Sequence, residues 1–146
     1  MESEVKREIM LAHYQNPFHK ETKDEGFIKA NGNNVSCIDD INIFIKLNGD
    51  IIEDTYFDGE ACAISTSSTS IMLTNIIGKT VEEAIALATH FEKMVNEETY
   101  NADLLGEALV YDEIYKQASR KTCATLPYVA LRKALKEAQE GEQLKK

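Results

Sequence analysis

Apolar Ile41, Ile43, Ile45 and Leu47 alternate with Asn42, Phe44 and Lys46, which predicts a half-buried strand with Phe44 on the opposite face. Asn48-Gly49-Asp50 is a strong hairpin turn, so Ile51 to Phe57 should return as the partner strand. Helical spacing governs most of the rest. Over residues 2–14 it aligns Val5, Ile9 and Ala12 or His13, and Asn16-Pro17 stops that helix because the residue before proline avoids helical angles. Ser65 to Ile77 reads as a helix, with serines and threonines suited to cap its start and Gly78 to end it. Thr80-Val81-Glu82-Glu83 is a capping box opening a helix to about Asn96, whose apolar face uses Val81, Ala84, Ile85, Ala88, Phe91 and Val95.

Residues 17–34 read as loops with one short strand near Phe27 and Ile28, and 97–119 as a loop with one helix. A last helix is expected from about Thr125 to Ala138, with Pro127 in its first turn and residues 137–146 fraying into solvent. Strands first and helices afterwards predict an α+β fold. Its small antiparallel sheet of about three strands packs against helices, with residues 1–146 forming one domain.

With 43% apolar and 28% charged residues, the composition is that of a soluble globular protein. Its apolar runs are too short or too interrupted to span a bilayer, and Met1 to Glu8 lacks a secretory apolar stretch. A cytoplasmic protein is the expectation. A net charge of −9 repels phosphate backbones, which argues against nucleic-acid binding, and suits docking on a basic protein face. Three cysteines, an odd number, point to free thiols or metal ligands rather than a disulfide framework.

Those cysteines carry the candidate chemistry. Cys37, Cys62 and Cys123 each sit in a polar or small-residue segment at the edge of an element, and Asp39 follows Cys37 by two places. Three thiolates and a carboxylate match the ligand count of tetrahedral zinc, if the fold gathers them. Cys37 and Asp39 share a face if their segment is extended, and the hairpin can return Cys62 to them. Cys123 is expected at the entrance of the last helix, where the helix dipole, Arg120 and Lys121 would lower a thiol pKa. The spacing is not that of a zinc finger, and small buried cysteines are the competing reading. His13, His19 and His90 lack metal-ligand spacing, and the Ser65 to Ser70 hydroxyls, with no histidine base nearby, read as helix-start and packing residues. No Walker loop, GxGxxG, nucleophile elbow or HExxH occurs.

At these positions the chain resembles the IscU/NifU-like iron–sulfur cluster assembly family, and within it the SufU branch. The resemblance runs from His13-Tyr14-Gln15-Asn16-Pro17 to Leu135. Its most specific stretch is Phe57-x-Gly59-Glu60-Ala61-Cys62-x-Ile64-Ser65-x-Ser67-Ser68-x-Ser70, supported by Cys37-x-Asp39 and Cys123-Ala124-Thr125-Leu126-Pro127. The histidine-bearing scaffold branch has histidine just before its third cysteine; here that residue is Thr122, and the interval from Cys62 to Cys123 is long, as in the SufU branch.

The resemblance implies a zinc site of Cys37, Asp39, Cys62 and Cys123. It also implies sulfur acceptance at Cys37 from a pyridoxal-phosphate cysteine desulfurase of the SufS type, with delivery to iron–sulfur scaffold or client proteins. The alternative it leaves open is a scaffold that assembles a [2Fe–2S] cluster on the same ligands. Whether the chain counts as an enzyme, a zinc-dependent sulfurtransferase, depends on that choice. Ile38 and Ala61 stand where the family usually has glycine, and Val35 where it often has proline. A strained Ile38 would shift Asp39 and let Asp40 compete as ligand.

Overall fold

The structure is a computed structural model that describes residues 2–23, 25–34 and 39–144. Helix α1 (Ser3–Gln15) precedes strands β1 (Ile28–Asn33), β2 (Asp40–Asn48) and β3 (Ile51–Glu60), which are followed by α2 (Ala63–Ile76) and α3 (Val81–Val95). Three 3₁₀ turns (Ala102–Leu104, Gly106–Tyr111 and Ile114–Lys116) lead into the long α4 (Ala118–Leu144). The sheet is antiparallel in the order β1-β2-β3. None of the described helices is long and apolar enough to cross a membrane.

The hairpin turns where the sequence places it. Asn48 pairs with Ile51 across a two-residue turn in which Gly49 takes φ +65, a left-handed angle that glycine adopts without a steric penalty. Ile41, Ile43 and Ile45 face the core with Ile52 and Phe57. Phe44, on the other face, is buried too, opposite Tyr56 and beneath the Lys29 ammonium. The free edge of β3 is covered by the chain after α1, since Glu21 N–H donates to Phe57 O (2.8 Å) and Phe57 N–H to His19 O (3.1 Å).

At the far end of the hairpin, β3 runs on to Glu60, past the expected end at Phe57, and pairs with the start of β2. Gly59 makes this closure possible. Its φ is +108, and a Cβ there would lie 2.0 Å from Asp40 O. Only a residue without a side chain lets the two strands meet at that point.

α2 is enclosed on all sides, every residue from Ser65 to Leu73 being buried. Its hydroxyls make this possible because none is left without an acceptor. Thr69 and Thr74 donate to the carbonyls four residues back (2.7 and 2.9 Å), and Ser68 donates to Ala124 O on α4 (2.6 Å). Ser67 donates to Ala63 O (2.8 Å) and pairs with the buried Tyr111 hydroxyl at 2.5 Å. Small polar residues thus allow close helix packing while meeting the need to bond every buried polar group. α3 starts with the expected capping box, Thr80 and Glu83 each accepting the other's backbone N–H at 3.1 Å.

Three expectations change. Val5 is exposed, and α1 instead turns Lys6, Ile9, Met10 and His13 inward. Lys6 is buried because its ammonium meets Asp112 (2.5 Å) and Glu113 (3.5 Å), so an ion pair does what an apolar contact was expected to do. Residues 97–119 form 3₁₀ turns, and the buried Leu105, Ala108, Tyr111 and Ile114 recur every third residue, the period of that helix type. Finally, α4 begins at Ala118, so Pro127 lies in the helix interior rather than its first turn. Proline has no N–H to offer the carbonyl four residues back, which is that of Cys123, and the Ser65 hydroxyl stands 3.0 Å from that oxygen. A hydroxyl from outside the helix thus lies within reach of the carbonyl that proline leaves without its helical donor.

Replacing Asp112 by alanine should destabilise the protein by about 1–3 kcal/mol in urea unfolding, because it strands a buried ammonium, whereas Lys6→Met should be close to neutral. Gly59→Ala should cost at least about 1–3 kcal/mol and shift backbone NMR resonances of residues 39–41 and 58–62, the strain being local to the hairpin's open end.

Candidate metal centre

The register that pairs Asp40 with Glu60 brings the residue before β2, Asp39, against the residues after β3, Ala61 and Cys62. Cys62 N–H donates to Asp39 Oδ1 at 2.7 Å. Cys62 is also the N-cap of α2, and its sulfur, rather than a hydroxyl, accepts the Ser65 N–H at 3.5 Å. This is why the helix begins at Ala63, earlier than the serines suggest. The Ser65 hydroxyl donates to Asp39 Oδ2 at 2.6 Å, and the Cys62 thiol lies 3.8 Å from the same oxygen. Cys123 enters from α4, 1% exposed, its thiol 3.8 Å from Ser119 O. One carboxylate oxygen of Asp39, Cys62 Sγ and Cys123 Sγ all lie within 4.8 Å of one another. Asp39 is 2% exposed, whereas Cys62 is only half-buried and forms the accessible side of the group.

The electrostatics follow from burial and hydrogen bonding. Burial pushes the Asp39 pKa up, but bonds from the Ser65 hydroxyl, the Cys62 N–H and the Cys123 thiol outweigh it and hold the carboxyl below its ordinary value. The Cys123 thiol is pushed up to about 12, first by burial and then by hydrogen bonding to and charge on Cys62 and Asp39. That corrects the expectation of a thiol acidified at a helix entrance. Cys123 lies in the second turn of α4, with Arg120 exposed and Lys121 half-buried at the periphery. Two sulfurs and a carboxylate crowded together out of water are a poor environment for negative charge and a good one for a cation.

Asp40 does not join this group. It is exposed on the outer face of the sheet, where its Oδ1 accepts from Asn31 Nδ2 at 2.7 Å. Ala61 carries no strain, since the described non-glycine residues with positive φ are His19 and Glu97. Val35, Cys37 and Ile38 lie outside the described residues; of the residues on either side, Asn34 N–H donates to Asp39 O at 3.0 Å. The three histidines are engaged elsewhere, His13 with Ser70 (2.7 Å), His19 with Thr55 O (2.9 Å) and His90 with Asn101 N–H (3.0 Å). Ser65 is the site residue that sequence reasoning treated as a helix-start and packing residue. Its position three places after the N-cap cysteine, where a capping box has its second member, was the available signal.

The family model described as NifU-like N terminal domain matches residues 5–137. The chain is 35% identical over 136 residues to the zinc-dependent sulfurtransferase SufU of Bacillus subtilis, with 92% of each chain covered. It is 37% identical over 137 residues to the iron–sulfur cluster assembly scaffold protein IscU of Streptococcus pyogenes, covering 93% of this chain and 86% of that one. A crystal structure of a putative iron–sulfur cluster assembly scaffold protein for the SUF system from Fervidobacterium islandicum superposes with a TM-score of 0.79 at 29% identity, covering 88% of this chain and 94% of the other. With its α+β fold and its clustered thiols and carboxylate, the chain belongs to the NifU-like N-terminal domain family.

Proposed function

We propose that this protein works in iron–sulfur cluster assembly as a zinc-dependent sulfur-transfer protein, accepting persulfide sulfur from a cysteine desulfurase through Cys37. The convergence of Asp39, Cys62 and Cys123 carries the reading. A tetrahedral site with sulfur at about 2.3 Å and oxygen at about 2.0–2.2 Å has edges of about 3.5–3.8 Å. The 3.8 Å from Cys62 Sγ to Asp39 Oδ2 is slightly longer than such a sulfur–oxygen edge, and soft thiolates with one carboxylate suit zinc. Cys37 precedes Asp39 by two residues and is the fourth donor of the set. Bound zinc would keep the thiols deprotonated near neutral pH and shield them from random oxidation.

The chain's own residues then divide the work. Asp39 and Cys123 are buried and form the fixed wall of the site, with Cys62 at its accessible side. The Cys37 thiolate attacks the outer sulfur of the desulfurase persulfide. A new S–S bond forms at Cys37, the donor's S–S bond breaks, and the desulfurase cysteine leaves as a thiolate, with no net change in oxidation state. The sulfur passes on to a cluster scaffold or client protein. Thr122 before Cys123, in place of histidine, and the similarity to the Bacillus relative support this assignment. The net charge of −9 would suit docking on a basic face of a partner protein.

The second reading, a scaffold carrying a [2Fe–2S] cluster as cargo, is favoured by the comparable similarity to the Streptococcus relative, and the same donors serve it. Metal analysis of protein purified without added metal should find close to one zinc per chain and no visible absorption; iron with sulfide and a brown chromophore would support the scaffold instead. With desulfurase and cysteine, mass spectrometry should detect added sulfur on the wild type at Cys37 and none on Cys37→Ser. Normal sulfur acceptance by that variant would remove Cys37 from the mechanism.

A further inference from the structure

We infer that Ser65 is a positioning residue of the metal centre, its hydroxyl locking the Asp39 carboxylate with Oδ2 turned toward the Cys62 sulfur. The inference rests on the metal-binding reading above and adds to it a residue that supplies no ligand atom.

Ser65 contacts all three gathered residues. Its N–H reaches Cys62 Sγ (3.5 Å), its O–H reaches Asp39 Oδ2 (2.6 Å), and its Oγ stands 3.0 Å from Cys123 O. The side chain is 0% exposed, so water does not compete for it. A carboxylate turns readily about its last side-chain bond, for which the torsional preference is broad. Among the bonds that hold Asp39 against that rotation, the two short ones are the Cys62 N–H on Oδ1 and the Ser65 hydroxyl on Oδ2. Removing the Ser65 hydroxyl takes the 2.6 Å O–H donor from Oδ2, the oxygen 3.8 Å from Cys62 Sγ, and so loosens its orientation.

The hydroxyl itself sits between a carboxylate and a carbonyl that lacks its helical donor. Ser65 has one proton and two acceptors, the carboxylate at 2.6 Å and the Cys123 carbonyl at 3.0 Å. That carbonyl lacks its helical donor because residue 127 is proline. A carboxylate oxygen that gives electron density to a cation becomes a weaker hydrogen-bond acceptor, and the carbonyl then offers the hydroxyl a second partner within reach. Ser65 therefore keeps a hydrogen bond whether or not a metal is bound, and remains in place for both states.

The test is zinc affinity by chelator competition. Ser65→Ala should bind zinc about 10–100-fold more weakly than the wild type, the usual range for losing a group that orients a ligand. Ser68→Ala is the control, an equally buried serine on the same helix bonded to Ala124 O, and its affinity should be unchanged. In an Asp39→Ala background, Ser65→Ala should add almost nothing, because the serine acts through the carboxylate. Unchanged affinity in Ser65→Ala, an equal loss in Ser68→Ala, or an undiminished effect without Asp39 would each overturn the inference. The unmodified zinc-loaded protein provides an independent reading if Ser65→Ala does not fold. Its Ser65 hydroxyl proton should appear in NMR as a slowly exchanging resonance, and exchange at the solvent rate would count against the role. Sulfur transfer enters none of these measurements, so zinc binding that follows the expected pattern in a protein that accepts no sulfur would discard only the proposed function.

Discussion

A carboxylate removed from water must have its charge met by donors or cations, and at Asp39 that requirement organises the whole end of the molecule where β2, β3, α2 and α4 converge. Its Oδ1 takes the N–H of Cys62 and its Oδ2 the hydroxyl of Ser65. Those two bonds fasten the open end of the hairpin to the first turn of the central helix. They can form only because Gly59 lets β3 pass against the Asp40 carbonyl, where any side chain would collide. Backbone closure, helix start and ligand placement are therefore parts of one local solution, in which each condition requires the others.

The central helix shows the same economy. An enclosed helix is commonly apolar all round, yet α2 buries Ser65, Thr66, Ser67, Ser68, Thr69 and Ser70 in succession. Their small size lets α1 and α4 approach closely, and their hydroxyls are absorbed either by the helix's own carbonyls or by groups on neighbours. One member of the run has been turned outward from this packing duty. Ser65 faces the carboxylate, and the proline that breaks the hydrogen-bond ladder of α4 exposes the carbonyl beside it. A carbonyl left bare in one helix and a polar residue of another meet beside the candidate metal centre.

Burial sets the chemistry as well as the shape. A thiol in the Cys123 environment resists ionisation, since burial and the neighbouring sulfur and carboxylate all oppose a further negative charge. The cost of collecting these groups is an incentive to bind a cation, which converts mutual repulsion into attraction. The half-buried Cys62 leaves one side of the group open to solvent.

Much of this was legible in the chain. Period-two alternation and Asn-Gly-Asp located the hairpin, the capping box located α3, and the candidate ligands stood out as cysteines at element edges with a neighbouring aspartate. These signals are local, decided within a few residues by backbone preference and side-chain type. The sequence alone could not choose between Asp39 and Asp40, because that choice depends on strand register, which puts one inside and the other on the outer face. Nor could it place Cys123 in a second turn, because the start of α4 depends on how the 3₁₀ turns before it pack their every-third-residue face. The buried Lys6 and the role of Ser65 depend on partners 106 and 26 residues away. Local patterns determined which elements form and which residues could bind metal; tertiary structure decided which of them meet, because hydrogen bonds and charges distant in sequence acquire partners only when the chain has folded.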